Sequence, residues 1–163
     1  MIVVSDSSPL IALRATDYLY LLREMYGRVL IPDAVHREVT DAGASQPGAS
    51  AVRKAAWIEV ATVEDQVELR SLRLELDVGE AEALALALER NAKLLLVDER
   101  VARRKAEALG VPYIGVVGVL LLAHKRGLLP AVRTPLDALR DAGFWLGDRV
   151  YNEALEAAGE AFP

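Results

Sequence analysis

Two short apolar runs each end in an aspartate. Ile2-Val3-Val4-Ser5 leads into Asp6, and Leu94-Leu95-Leu96-Val97 leads into Asp98. Runs of this kind read as strands of a parallel sheet buried on both faces. In open α/β sheets, ligands bind off the carboxyl ends of the strands. Two carboxylates delivered there from distant stretches of chain suggest a shared acidic site. Crowded carboxylates repel and raise one another's pKa. A hard divalent cation such as Mg2+ or Mn2+ relieves that repulsion and binds through oxygen. One or two such ions can orient a phosphodiester, generate a hydroxide and stabilise the leaving oxygen.

Each acid also has a structural alternative. Asp6 could N-cap a helix beginning at Ser8 or Pro9, although Ser7 or Ser8 could do so equally well. Glu38 borders an apolar helical flank with Val35 and Val39 and could point to solvent beside Arg37. Glu80 stands three residues after Asp77, the spacing of a capping box, and Glu82 faces another direction on that helix. Asp98 could cap the helix starting near Arg100, with Glu99 a secondary ligand or a solvated neighbour. Arg100, Arg103 and Arg104 share a helical face, either solvated or facing a nucleic-acid backbone. Arg53 and Lys54 are weaker candidates for that second role.

Other chemistries fit poorly. His36 and His124 are far apart in sequence and form no zinc-like spacing, and zero cysteines rule out thiolate sites and disulfides. No Gly-rich phosphate loop or nucleophile elbow is present. Phosphotransfer of the haloacid-dehalogenase type wants a second acid two residues after Asp6, where Ser8 stands. A receiver-like domain would carry its acid pair on the first strand, whereas Asp98-Glu99 follows a later one.

The elements that must position these groups alternate between strand and helix. Strands are predicted at 2–5, 28–31, 57–61, 93–97 and 112–115. One helix is predicted from near Ser8-Pro9 to Gly27, and another from Pro32-Asp33 carrying Val35, Glu38 and Val39. Residues 41–49 read as a loop, and short helices follow near 50–56 and 64–75. Helices then cover 77–90, 100–109 and 116–125, and Asp148 is expected to cap a final one. This order implies a three-layer α/β/α domain with a mainly parallel sheet of about five strands. The 163 residues read as one domain, 1–163, whose helical C-terminal segment from about 134 is an appendage or a pairing surface.

Composition agrees with a compact protein: 53% of residues are hydrophobic. The net charge of −5 argues against a broadly basic nucleic-acid binder but not against a local basic patch. No secretory signal is expected, and the apolar stretch 114–123 is about half the roughly 20 residues a membrane span needs. A reducing cytoplasm is the expected location.

Four segments taken in order resemble the PIN-domain family, which includes the VapC-like toxin ribonucleases. Val4-Ser5-Asp6-Ser7-Ser8-Pro9-Leu10-Ile11 is similar to the first motif, closest to a less characterised PIN-like branch. Ile31-Pro32-Asp33-Ala34-Val35-His36-Arg37-Glu38 is similar to the second, Gly79-Glu80-Ala81-Glu82-Ala83 to the third, and Leu95-Leu96-Val97-Asp98-Glu99-Arg100 to the fourth. The likeness runs over about residues 2–125, and the C-terminal segment also resembles that branch. It implies a PIN-like fold, a Mg2+- or Mn2+-dependent endoribonuclease, and Asp6, Glu38, Glu80 and Asp98 as the acidic set. Asp6, Glu80 and Asp98 would ligate metal, Ser7 and Ser8 would support them, and Arg100, Arg103 and Arg104 would meet RNA. It further implies the toxin of a toxin–antitoxin pair, a small antitoxin partner and homodimers. Ser7-Ser8 stands where Thr-Asn is common, Leu96 where Thr is often found, and Glu80 where the family has Asp. The alternative is a catalytically degenerate PIN-like module that acts by protein or RNA binding.

Overall fold

In the computed structural model, which describes residues 1–40 and 49–160, the apolar runs are the strands. They are β1 (Val3–Ser5), β2 (Val29–Ile31), β3 (Ile58–Val60), β4 (Leu94–Leu96) and β5 (Tyr113–Ile114). Each lies within one residue, at either end, of the stretch the sequence predicts. Ladder bonds carry the pairing slightly further: the Lys93 amide donates to Ile2 at 2.8 Å and the Ala61 amide to Ile31 at 3.0 Å. All pairs are parallel, in the order β3-β2-β1-β4-β5.

Between the strands run α1 (Ser7–Ala15), α2 (Tyr20–Tyr26), α3 (Asp33–Thr40), α4 (Ala49–Lys54), α5 (Gln66–Leu72), α6 (Val78–Glu89) and α7 (Arg100–Ala108). Three more follow the sheet: α8 (Val116–Lys125), α9 (Arg133–Asp141) and α10 (Asp148–Ala157). The helices flank the sheet in a three-layer α/β/α sandwich, as the alternation of elements requires. Apart from Ala49, the loop expected at 41–49 lies outside the described residues.

Strand order fixes where a site can form. The chain steps outward from β1 to β2 and β3, then returns to the other side of β1 to make β4 and β5. The reversal puts the switch point between β1 and β4, the usual place for a ligand crevice. Their register pairs Val3, Val4 and Ser5 with Leu94, Leu95 and Leu96. The Asp6 amide continues that ladder, donating to the Leu96 carbonyl at 2.9 Å. Asp6 therefore leaves the central strand at the crevice, and Asp98 follows the neighbouring strand end.

Two helical expectations change. The predicted helix from Ser8 to Gly27 is broken at residues 16–19, between α1 and α2. Asp17 takes a left-handed conformation, φ 65°. The Tyr18 amide donates back to Leu13 at 2.8 Å and the Asp17 amide to Arg14 at 3.3 Å. These are the two bonds of a Schellman stop, with aspartate in the place glycine usually takes. The apolar spacing continued across the break and hid it. At the other end, Gly147 rather than Asp148 is the N-cap of α10, and Asp148 accepts from Arg140 at 3.1 Å.

The C-terminal helices are part of the body. Leu136, Leu139, Ala154 and Leu155 are buried in the common core. Glu160 accepts the Val132 amide at 2.7 Å and the Arg133 amide at 3.2 Å, tying the end of the described chain to the start of α9.

A left-handed residue with a side chain costs about 1–2 kcal/mol unless its side chain suits that conformation. Asp17→Val should lower stability by about that amount in urea unfolding, and Asp17→Gly should not lower it. Equal stabilities for the two variants would count against the helix stop.

Candidate functional site

Asp6 is 3% exposed at the end of the central strand. It has the N-cap position of α1, yet its side chain makes no capping bond to that helix. Burial pushes its carboxyl up from 3.8 to about 7; the adjacent Ser7 amide pulls it down, and Glu80, Asp77 and Glu38 push it further up. No cation figures among these influences.

Glu38, on the last turns of α3, is half-buried. The Ser7 hydroxyl donates to Glu38 Oε2 at 2.7 Å and lies 3.5 Å from Asp6 Oδ1, linking the two carboxylates. Across from them, a Cβ on Gly79 would collide with Glu38 Oε1 and come within 3.5 Å of Asp6 Oδ1. Glycine at 79 lets the first turn of α6 sit against the acids with Glu38 in its present rotamer.

Glu80 has both of the roles the sequence left open. Its amide donates to Asp77 at 2.8 Å, and its own Oε1 accepts the Asp77 amide at 3.1 Å, completing a capping box. Its carboxyl is also raised, first by burial and then by Asp77, Glu99 and Glu38. Glu99, at the end of the β4 run, therefore extends the acidic neighbourhood. Glu82 faces elsewhere and accepts the Ala34 amide at 3.0 Å, a structural role.

Asp98 is differently compensated. Its Oδ1 accepts the Val116 amide at 3.0 Å and faces Arg103 Nη2 at 3.4 Å. Burial raises its carboxyl, while the Val116 amide and Arg103 lower it. A Cβ on Gly115 would run into the ends of the Arg103 and Asp98 side chains, so glycine leaves room for their pairing in its present rotamers. Arg103 also donates to the Val97 carbonyl at 3.0 Å and so turns in toward the strand end. Arg100 and Arg104 remain exposed on α7, and Ser8 is exposed at the rim. Arg53 is used at 2.8 Å on the Thr40 carbonyl, and the His124 ring meets the Leu129 carbonyl at 2.9 Å.

The structure thus gathers Asp6, Glu38 and Glu80 in one electrostatic neighbourhood and gives Asp98 its own partners. Among the described residues, no three Asp, Glu or His side chains stand as a ready-made metal cage. The chemistry of the donors nonetheless suits a hard cation. They are carboxylate and hydroxyl oxygens, mutually repelling, with a buried member held near neutrality. Gly79, Gly115 and the Arg103–Asp98 pairing were not legible as site features in the sequence; a glycine directly before a candidate acid was the only hint.

A family model described as a PIN domain matches residues 2–160. No curated protein matches the chain. The match covers nearly the whole chain, which therefore belongs to the PIN-domain family and has a nuclease-type fold. No helix among the described residues is long and apolar enough to cross a membrane.

The raised Asp6 carboxyl predicts a pH-dependent stability. Between about pH 4 and 7 the folded chain keeps a proton that the unfolded chain has lost. Stability from this group therefore falls as pH rises through that window and is level above it, by at most about 4 kcal/mol. Asp6→Asn should melt at a higher temperature than wild type at pH 8, and the gap should shrink at pH 5. A gap independent of pH would show that Asp6 titrates as an ordinary carboxylate.

Proposed function

We propose, from membership of the PIN-domain family, that this chain is a divalent-metal-dependent endoribonuclease that hydrolyses RNA phosphodiester bonds. The observation that carries the reading is the buried Asp6 at the β1–β4 switch point, with no cation beside it and with Glu38 and Glu80 in its neighbourhood. Asp6 and Glu80 would hold Mg2+ or Mn2+, with Glu38, joined to Asp6 through Ser7, in the place first expected of Asp98, which has its own partners. When bound, such an ion supplies an activated water and neutralises phosphate charge.

The chain's own groups prepare the site. Ser7 fixes the rotamer of Glu38 by donating to Oε2. Burial keeps water from screening the acids, which strengthens every charge interaction in the crevice. The Val116 amide and Arg103 fix the Asp98 carboxylate, and Arg100 and Arg104 offer exposed cations to the phosphate backbone. Hydrolysis adds a water oxygen to phosphorus and releases a ribose oxygen as a hydroxyl. One of the acids would accept the water's proton.

The proposal includes action in the cytoplasm as the toxin of a toxin–antitoxin pair, with a small antitoxin partner and a homodimeric form. The support is the likeness of the four motifs to the PIN-domain family, which includes the VapC-like toxins, with the departures at Ser7-Ser8, Leu96 and Glu80. One observation favours a second reading, a degenerate module that binds without turnover. Glu80 is engaged in its capping box and Asp98 in its ion pair, leaving Asp6 and Glu38 as the less committed acids.

Cleavage assays separate the two. Asp6→Asn and Glu38→Gln should each reduce Mn2+-dependent RNA cleavage by more than about 100-fold, above the loss typical of outer-shell partners. Ser7→Ala, acting through Glu38, should lose about 10- to 100-fold. Cleavage at equal rates by wild type and Asp6→Asn would remove the nuclease reading. RNA or protein binding with no turnover by wild type would establish the degenerate one.

A further inference from the structure

A second feature adjoins the acidic crevice. A cavity of about 570 Å³ opens between the end of β5, the start of α8 and the linker from α9 to α10. That volume lies within the usual range for small-ligand sites. Its polar end is formed by Ser8, Asp98 and Arg103, and its apolar end by Phe144, Trp145 and Val150.

Trp145 is 91% exposed. An indole so placed offers a free π-face to a ligand. A Cβ on Gly147 would come within 3.2 Å of the ring, so the indole rests against the glycine. Arg140 pins the linker by donating to the Leu146 carbonyl at 3.0 Å, and the Phe144 amide donates to Leu139 at 3.0 Å. An aromatic surface is thus presented at the wall of the cavity, on a linker whose backbone is tied down. At the other end, the Arg103 guanidinium, 5.9 Å from the Tyr113 ring centroid, sets a cation beside the crevice.

We propose that this cavity takes an unpaired base of single-stranded RNA, with Trp145 as its stacking surface and Arg103 facing the adjoining phosphate. The inference rests on the reading of the chain as an RNA-cleaving enzyme and names the cavity and the residue that position a base beside the crevice. Three observations point to this occupant. Asp98, Arg103 and Ser8 belong to the cavity and to the crevice alike, so a strand cut at the crevice passes the cavity mouth. An aromatic wall with a neighbouring cation matches the π-face and phosphate of one nucleotide. A base within a duplex is stacked on both faces and cannot enter, whereas an unpaired one can.

Two tryptophans are present, so Trp57→Phe leaves Trp145 as the sole indole. In that background, with Asp6→Asn to prevent turnover and Mg2+ present, Trp145 emission is followed as RNA is added. A single-stranded oligonucleotide should quench it; the same sequence as duplex, or with abasic nucleotides, should not. In the otherwise wild-type enzyme, Trp145→Ala should raise KM for a single-stranded substrate about tenfold, with kcat little changed, and Trp145→Phe should restore most of the loss. RNA cleaved with the same KM by wild type and Trp145→Ala would overturn the proposal and leave the nuclease reading standing. Neither binding nor cleavage of RNA by wild type would overturn both. A Trp145→Ala variant that changes oligomeric state while KM holds would assign the face to a second copy of the chain.

Discussion

The arrangement turns on one costly feature, an ionisable carboxylate buried at the end of the central strand. Asp6 loses solvent because β1 is flanked by strands on both sides and α1 starts immediately after it. Desolvation alone disfavours the charged form, and neighbouring carboxylates deepen the penalty. The Ser7 amide at the start of α1 offsets only part of this. The immediate surroundings are shaped to keep the acids close: the Ser7 hydroxyl links Asp6 to Glu38, and Gly79 lets α6 approach without a side chain. A polar cluster so poorly compensated is costly for stability alone, and such clusters mark functional sites.

The crevice has two unlike sides. On the β1 side three acids face one another with no cation among the groups shifting Asp6. On the β4 side Asp98 has a backbone donor and an arginine, and it stays put. A cation would go to the first side by charge, and a phosphate would find its positive partner near the second. The cavity walled by Phe144 and Trp145 opens on that second side. The C-terminal segment, expected as an appendage or pairing surface, instead shares the core and builds that wall.

Much of this was legible in the chain, for physical reasons. Uninterrupted apolar runs with aspartates at their ends announce β1 and β4 as buried parallel strands, and the alternation with helices places the other three within a residue of where they lie. The capping box at Asp77 and Glu80 was readable because it depends on spacing alone. Other features depend on conformation or on distant partners. The stop at Asp17 needs a left-handed residue that is not glycine, which the apolar spacing conceals. The pairing of Asp98 with Arg103 depends on rotamers, since the same arginine on a helical face could equally meet solvent. The role of Gly115 is set by contacts between β5, α7 and α8, which no local pattern encodes.

The central claim is that Asp6 is held near neutrality by burial and crowding, and that a divalent cation is what resolves it. A carbon-13 NMR titration of the Asp6 side-chain carboxyl, with and without saturating Mg2+, tests it most directly. The account predicts a midpoint near 7 without the ion and a fall of well over one pH unit with it. A midpoint near 4 that Mg2+ leaves unmoved would contradict it.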